Sequence, residues 1–381
     1  MLFDPDRHEP LKEIAWDERA AREAIERIVR GAEESFVEGQ GWPVHPRDSK
    51  NPDPMCGLYI GDCGVIWALR YLERRAAVRR TRDWLPHLAS LRITREHGSY
   101  MFGETPILMM LPGRERRLSE LIEGAMHHPA RELMWGAPGT MLAALFMYRR
   151  TSDAHWADLY RRTARVLWDQ LHWSESEKCH YWTQDLYGQR STYLDAVHGF
   201  AATAAVLLHG RDLLASDECL RWDQCITRTI RATAEVEGSL ANWRAHFQSP
   251  RGGPKLVQFC HGAPGFVICL AAMPGSELDD LLVAAGETTW RAGPLTKGSN
   301  LCHGTGGNGY AFLKLYRRYG DPMWLERARA FAMHGISQTM ADHETFGQWR
   351  HGLWTGDLGF AIYLLDCIEE GDAFPSLDVF D

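Results

Sequence analysis

The chain has 381 residues, 45% of them hydrophobic and 24% charged, with a formal net charge of −8 and a pI near 6.1. That balance suits a globular protein with a large core and lacks the basic stripe of a nucleic-acid binder; the single basic cluster, "RRAAVRRTR" from Arg74 to Arg82, reads as the solvated face of a helix. No run reaches the roughly 18 apolar residues that suggest a membrane span, and nine scattered cysteines, an odd number, fit a reducing, cytoplasmic setting better than a disulfide framework.

In chain order, the first stretch, "MLFDPDRHEPLKEIAWDERAAREAIER", is too charged for a signal peptide. The first forty residues predict an outer helix, and "GWPVHPRDSKNPDPM" from Gly41 to Met55 predicts a linker. A pattern then recurs: Gly-x-x-Gly followed by an apolar run of helical period. It reads "GDCGVIWALRYLER" from Gly61 and, more weakly, "FGETPILMMLPG" around Gly103. It returns as "GAPGTMLAALFMYRR" from Gly136 and "GFAATAAVLLHG" from Gly199, where Ala202 replaces the second glycine. The last three copies are "GAPGFVICLAAM" from Gly262, "GTGGNGYAFLKLYRR" from Gly304 and "GDLGFAIYLLDCIEE" from Gly356. Successive first glycines are 42, 33, 63, 63, 42 and 52 residues apart.

The first glycine allows a sharp turn at a helix start; the second is expected to let a neighbouring helix pack closely. Polar helical stretches such as "RERRLSELIEGAMHH" and "WADLYRRTARVLWDQL" lie between copies, and strand signals are nearly absent. Each repeat is therefore a hairpin of an apolar inner and an amphipathic outer helix. The uneven spacing favours an all-α, closed α/α toroid of about seven hairpins over an open solenoid. Residues 1–381 form one domain in this reading, with 1–55 as outer helix and linker. A closed ring gathers the glycine-rich starts at one mouth, bringing Cys260 towards Cys302.

"FCHGAPG" and "LCHGTGG" each set a cysteine and a histidine before a helix start. Zinc accepts sulfur and nitrogen, and a catalytic site keeps a fourth position open. Cys260, Cys302 and His303 would make such a set. A closed structural site using both Cys-His pairs competes with it, as do two buried cysteines with capping histidines. A third pair, Cys179-His180, has no Gly-x-x-Gly after it and reads as loop.

These motifs resemble the LanC-like proteins, named for the lanthionine cyclases. "FCHGAPG" and "GSNLCHGTGGNGYAFLKLY" look like the family's two zinc motifs, and the seven repeats match its toroid over nearly the whole chain. The histidine after the first cysteine looks closer to the eukaryotic-type members. The resemblance implies a Zn²⁺ cofactor on Cys260, Cys302 and His303 that binds a thiol substrate. The thiol would add to a dehydroalanine or dehydrobutyrine in a dehydrated peptide or protein, making a thioether. His198, in "AVHGFAA", would be the catalytic acid, Glu132 its carboxylate partner and His261 a spare imidazole able to take the acid's place. Two departures stand out: Ala202 in the His-Gly motif, and Leu256 where the cyclases carry an arginine. Lys297 resembles a substrate-holding lysine of the eukaryotic-type members, and Lys255 neighbours the arginine's position. The missing arginine points to glutathione as the thiol; a peptide cysteine would make the protein a lanthipeptide cyclase. Two other classes remain, a non-catalytic zinc scaffold that binds glutathione or a partner, and a non-zinc α/α-barrel enzyme acting on sugars or isoprenoids, which needs paired carboxylates or an Asp-rich helix and for which Asp62, Asp195 and Asp357 look too scattered.

Overall fold

The computed structural model describes residues 2–50, 55–79, 81–92 and 98–380. Fourteen helices among them alternate between two layers. The outer layer comprises α1 (Glu18–Glu34), α3 (Leu85–Ser90), α5 (Glu115–Ala125), α7 (Ala154–Asp169), α9 (Ser216–Thr233), α11 (Asp279–Ala292) and α13 (Pro322–Phe346). The inner layer comprises α2 (Asp62–Arg74), α4 (Thr105–Met110), α6 (Ala137–Thr151), α8 (Phe200–His209), α10 (Ala263–Leu270), α12 (Thr305–Tyr319) and α14 (Asp357–Glu369). Every inner helix follows one of the seven repeated glycines, the weak copy at Gly103 included.

Burial explains the layering. All eight residues of α10 are buried, as an all-round apolar helix requires. Helix α1 buries only a stripe, Ala21, Ala24, Ile25, Ile28 and Ala32, at three- and four-residue spacing. Asp17 caps it, its carboxylate accepting Arg19 N and Ala20 N. Packing runs α4–α6–α8–α10–α12–α14 and on to α2, and α1 lies outside on α14 and α13. The basic cluster after α2 departs from expectation: the helix ends at Arg74, and Ala76 turns left-handed at φ 55°. Its arginines serve as anchors instead, Arg82 Nη1 reaching Glu38 Oε2 at 2.9 Å. Arg80 and residues 51–54 of the expected linker lie outside the described residues.

At the mouth, the residue two before each repeated glycine joins a circular hydrogen-bond chain. Cys260 N donates to Cys302 O (3.0 Å), Cys302 N to Trp354 O (2.8 Å) and Trp354 N to Tyr59 O (3.4 Å). Tyr59 N continues it to Met101 O (3.0 Å), and Met101 N to Met134 O (3.2 Å). The circle breaks at repeats three and four, where Met134 N and Val197 N turn to the carboxylates of Glu132 and Asp195. The ring is thus stitched on five sides and open between repeats three and five.

Three features differ from the sequence reading. Three two-stranded antiparallel hairpins are present: β1 (His172–Ser174) with β2 (Cys179–Tyr181), β3 (Gln184–Leu186) with β4 (Gln189–Ser191), and β5 (Ala234–Glu237) with β6 (Leu240–Trp243). They occupy the two long 63-residue intervals and border the open side; strands this short carry no readable alternation. Cys179 and His180 accordingly sit on β2 rather than in a loop. The second glycine serves chiefly its own repeat's loop, not a neighbouring helix: a Cβ at Gly265 would strike Phe259 O and come within 2.6 Å of Ala196 Cβ. Finally, the segment after α14 fills the ring. Phe374 stacks on Phe259 (4.5 Å) and packs on Trp354 (5.4 Å), while Phe380 packs against Trp67, Tyr100 and Phe146. Tyr100 Oη donates to Ser376 O (2.6 Å), and Lys314 Nζ pairs with Asp378 (2.7 Å). No helix among the described residues is long and apolar enough to cross a membrane.

Candidate functional site

Four loops share one register: "ELMWG" ending at Gly136, "DAVHG" at Gly199, "QFCHG" at Gly262 and "NLCHG" at Gly304. Four residues before each glycine stands a buried polar side chain, Glu132, Asp195, Gln258 or Asn300. Three of them cap their own loop. Glu132 accepts Met134 N (2.9 Å) and Trp135 N (2.5 Å), Asp195 accepts Val197 N (3.0 Å) and His198 N (2.7 Å), and Asn300 accepts His303 N (3.0 Å). Tying these three loops down fixes the residue just before the glycine, Trp135, His198 or His303; His261 holds the same place in a loop closed by backbone bonds between Gln258 and His261 (3.1 and 3.0 Å).

The carboxylates also reach the next repeat's histidine. His198 Nδ1 lies 2.9 Å from Glu132 Oε2, a hydrogen bond. His261 Nδ1 lies 2.8 Å from Asp195 Oδ2, an ion-pair contact whose angle is off that of a good hydrogen bond. Burial alone would lower both imidazoles, but the neighbouring carboxylate outweighs it and raises each above the usual histidine value. Burial pushes Asp195 up, and the charge and contact of His261 overcome it and hold it low.

Beside these dyads sit the thiols. Cys302 accepts a hydrogen bond from the Cys260 thiol, which holds it well below the ordinary cysteine value against the burial that opposes ionisation; His303 and Tyr59 add to this. Tyr59 Oη is 2.9 Å from Cys302 Sγ. Cys260, the donor, is correspondingly raised. Gln258 Nε2 donates to Cys260 Sγ (2.9 Å), and Lys297 Nζ, at the exposed rim, donates to Gln258 Oε1 (3.3 Å). Cys302 therefore touches both Cys260 and His303, two soft sulfurs and an imidazole that suit zinc. Among the described residues no three such donors are drawn together to metal-binding spacing.

Of the residues expected at the site, Cys260, Cys302, His303, His198, Glu132, His261 and Lys297 gather at this mouth. Lys255 lines a cavity with His261, but its ammonium is taken by Glu235 (2.8 Å) and Gly253 O (3.0 Å). Ala202 does not disturb His198, which still meets Glu132. The reading from sequence passed over Asp195 as a partner, and Tyr59, Gln258 and Asn300 altogether. The signal was available: a polar residue four before the glycine in four consecutive motif loops.

Fold and site together define a helical toroid whose mouth carries a paired-thiol, paired-imidazole cluster. A family profile described as "Lanthionine synthetase C-like protein" matches residues 7–379, and the chain belongs to that family. It is 32% identical over 263 residues to "LanC-like protein GCL1" of Arabidopsis thaliana, covering 65% of this chain and 58% of that protein. It is 38% identical over 113 residues to "Glutathione S-transferase LANCL1" of Danio rerio, covering 28% of this chain and 25% of that protein. The chain thus matches little more than half of the first relative's length and a quarter of the second's. The solved structure of "Nisin cyclase" superimposes with a TM-score of 0.61 at 15% identity, covering 92% of this chain and 94% of that one, a likeness of fold.

Proposed function

We propose that the protein is a zinc-dependent thioether-forming enzyme of the cytoplasm, adding glutathione to dehydroalanine or dehydrobutyrine residues of peptides or proteins. The single observation that carries the reading is that Cys260 and His303 both act on the Cys302 thiol, at the mouth that also holds the His198–Glu132 pair. The name of the zebrafish relative supports glutathione as the thiol.

A free thiol is only about 3% ionised at neutral pH, and a zinc ion held by Cys260, Cys302 and His303 would keep a bound thiol ionised. The gain from ionisation is at most about thirtyfold, less the lower nucleophilicity of a weaker base, so positioning supplies the rest. Lys297, at the rim, would hold a carboxylate of glutathione. Sulfur bonds to the β-carbon, and the π electrons move onto the α-carbon and its carbonyl. His198 then delivers a proton to the α-carbon. Glu132 on Nδ1 keeps that nitrogen protonated and leaves Nε2 to give and regain the mobile proton. The Glu132 carboxylate raises His198 above the usual histidine value, the direction that favours a general acid. His261, in ion-pair contact with Asp195, stands as the second acid.

Incubating the zinc-loaded protein with glutathione and a dehydroalanine peptide should give the thioether adduct by mass spectrometry. With zinc bound, no adduct above the uncatalysed rate would overturn the reading in favour of a binding scaffold.

A further inference from the structure

An arc of aromatic rings runs around the mouth from repeat one to repeat four. Tyr59, at Cys302, packs on Phe102 (5.4 Å between ring centres), and Phe102 stacks on Trp135 (4.4 Å). Trp135 meets Tyr187 edge-on (6.5 Å), its indole N–H donating to Tyr187 Oη at 3.3 Å. Tyr187 in turn meets His198 edge-on (6.1 Å). Behind this arc lies a cavity of about 500 Å³ walled by Phe102, Trp135, Leu186 and Tyr187, with His128 and Asp185 among its polar lining.

Tyr187 is the unusual member. It sits at the β3–β4 turn in the left-handed conformation, φ 55°, and is 70% exposed. A bulky side chain there is costly in backbone terms, and so large an exposed ring costs hydration. Within the fold the ring meets Trp135 and His198, both at the mouth. What the turn does achieve is to place the ring between His198 and the cavity, with Trp135 completing the wall.

Resting on the reading of thiol addition to peptides, we propose that this cavity takes a bulky apolar or aromatic side chain adjacent to the dehydroamino acid. Two observations point to that occupant. Tyr187, which walls the cavity, also meets the His198 ring at 6.1 Å, so the cavity lies next to the group that must reach the α-carbon. Trp135, its other large wall, stands just before Gly136, the place that His198 holds before Gly199. Aromatic walls with a few polar groups suit a ring or branched aliphatic side chain.

The test compares two dehydroalanine peptides that differ only in having Phe or Ser beside the reacting residue, together with N-acetyl-dehydroalanine amide as a minimal acceptor. The expected result is a kcat/KM about tenfold higher for the Phe peptide. Tyr187→Ala should bring the Phe/Ser ratio close to one, and Tyr187→Phe should restore it. An equal rate for both peptides in the unaltered protein, or a ratio untouched by Tyr187→Ala, would overturn the proposal. Failure to turn over even the minimal acceptor would refute the enzymatic reading instead. The cavity is then judged by calorimetry with the Phe peptide carrying alanine in place of dehydroalanine: binding lost in Tyr187→Ala upholds the subsite, and absence of binding to the unaltered protein refutes it.

Discussion

Replacing Glu132 with glutamine isolates the charge of the carboxylate from its shape. Glu132 is wholly buried, and its two oxygens take three donors: Met134 N, Trp135 N and His198 Nδ1. An amide has one acceptor oxygen and turns an N–H towards whatever faces the other position, so at least one buried donor loses its partner. That costs about 1–3 kcal/mol, at the upper end for a charged imidazole. Because the carboxylate raises His198, its contribution is full below the unfolded histidine value of 6.5 and is lost as pH rises through the raised folded value. The melting gap between Glu132→Gln and the unaltered protein should therefore be widest below about pH 6 and narrow towards pH 9. In activity, loss of the acid's support should slow adduct formation by about 10- to 100-fold and move the basic limb of the pH–rate profile to lower pH. The assay is mass-spectrometric adduct formation with a minimal acceptor, from pH 5.5 to 9 (a range set by about the histidine titration), alongside thermal melts. An unchanged rate and profile, with a stability gap independent of pH, would refute the coupling of Glu132 to His198.

Cys302→Ser should lose bound zinc, measured by elemental analysis, while circular dichroism keeps its helical signal; retention of stoichiometric zinc would remove Cys302 from the ligand set. Lys297→Ala should raise the KM for glutathione about two- to fivefold, the scale of an exposed charge contact, with kcat nearly constant; a fall in kcat alone would place Lys297 in the chemical step. Phe374→Ala removes a ring stacked on Phe259, next to Cys260, and packed on Trp354. It should destabilise the fold by about 3–5 kcal/mol and weaken zinc binding; a chemical melt within about 0.5 kcal/mol of the unaltered protein would show that the terminal segment is not part of the core.

Most of the toroid was legible because its signal is periodic. Seven glycines at seven helix starts mark the inner layer, and amphipathic stretches such as Arg114 to His128 mark the outer one. The hairpins escaped because three- and four-residue strands have no pattern to read, and the only hint was two long intervals. The terminal segment escaped for another reason. Phe374, Leu377 and Phe380 stand three apart in a short stretch that is not helical, and all three are buried, because the hollow of a ring needs filling by chain that no repeat supplies. At the site, cysteines and histidines stood out by type and spacing. Of their partners only Glu132 was reached, through the family resemblance; an aspartate, a glutamine and an asparagine share no motif with it by residue type. Only their common place four residues before a glycine unites Glu132, Asp195, Gln258 and Asn300.

X-ray absorption at the zinc edge, on the protein before and after addition of glutathione, tests the central claim most directly. The account predicts one zinc with two sulfur neighbours and one imidazole nitrogen, supplied by Cys260, Cys302 and His303, and a third sulfur once glutathione is added. A site that already holds two sulfurs and two imidazoles and does not change with glutathione would contradict it, making the metal structural and returning His261 to the ligand set.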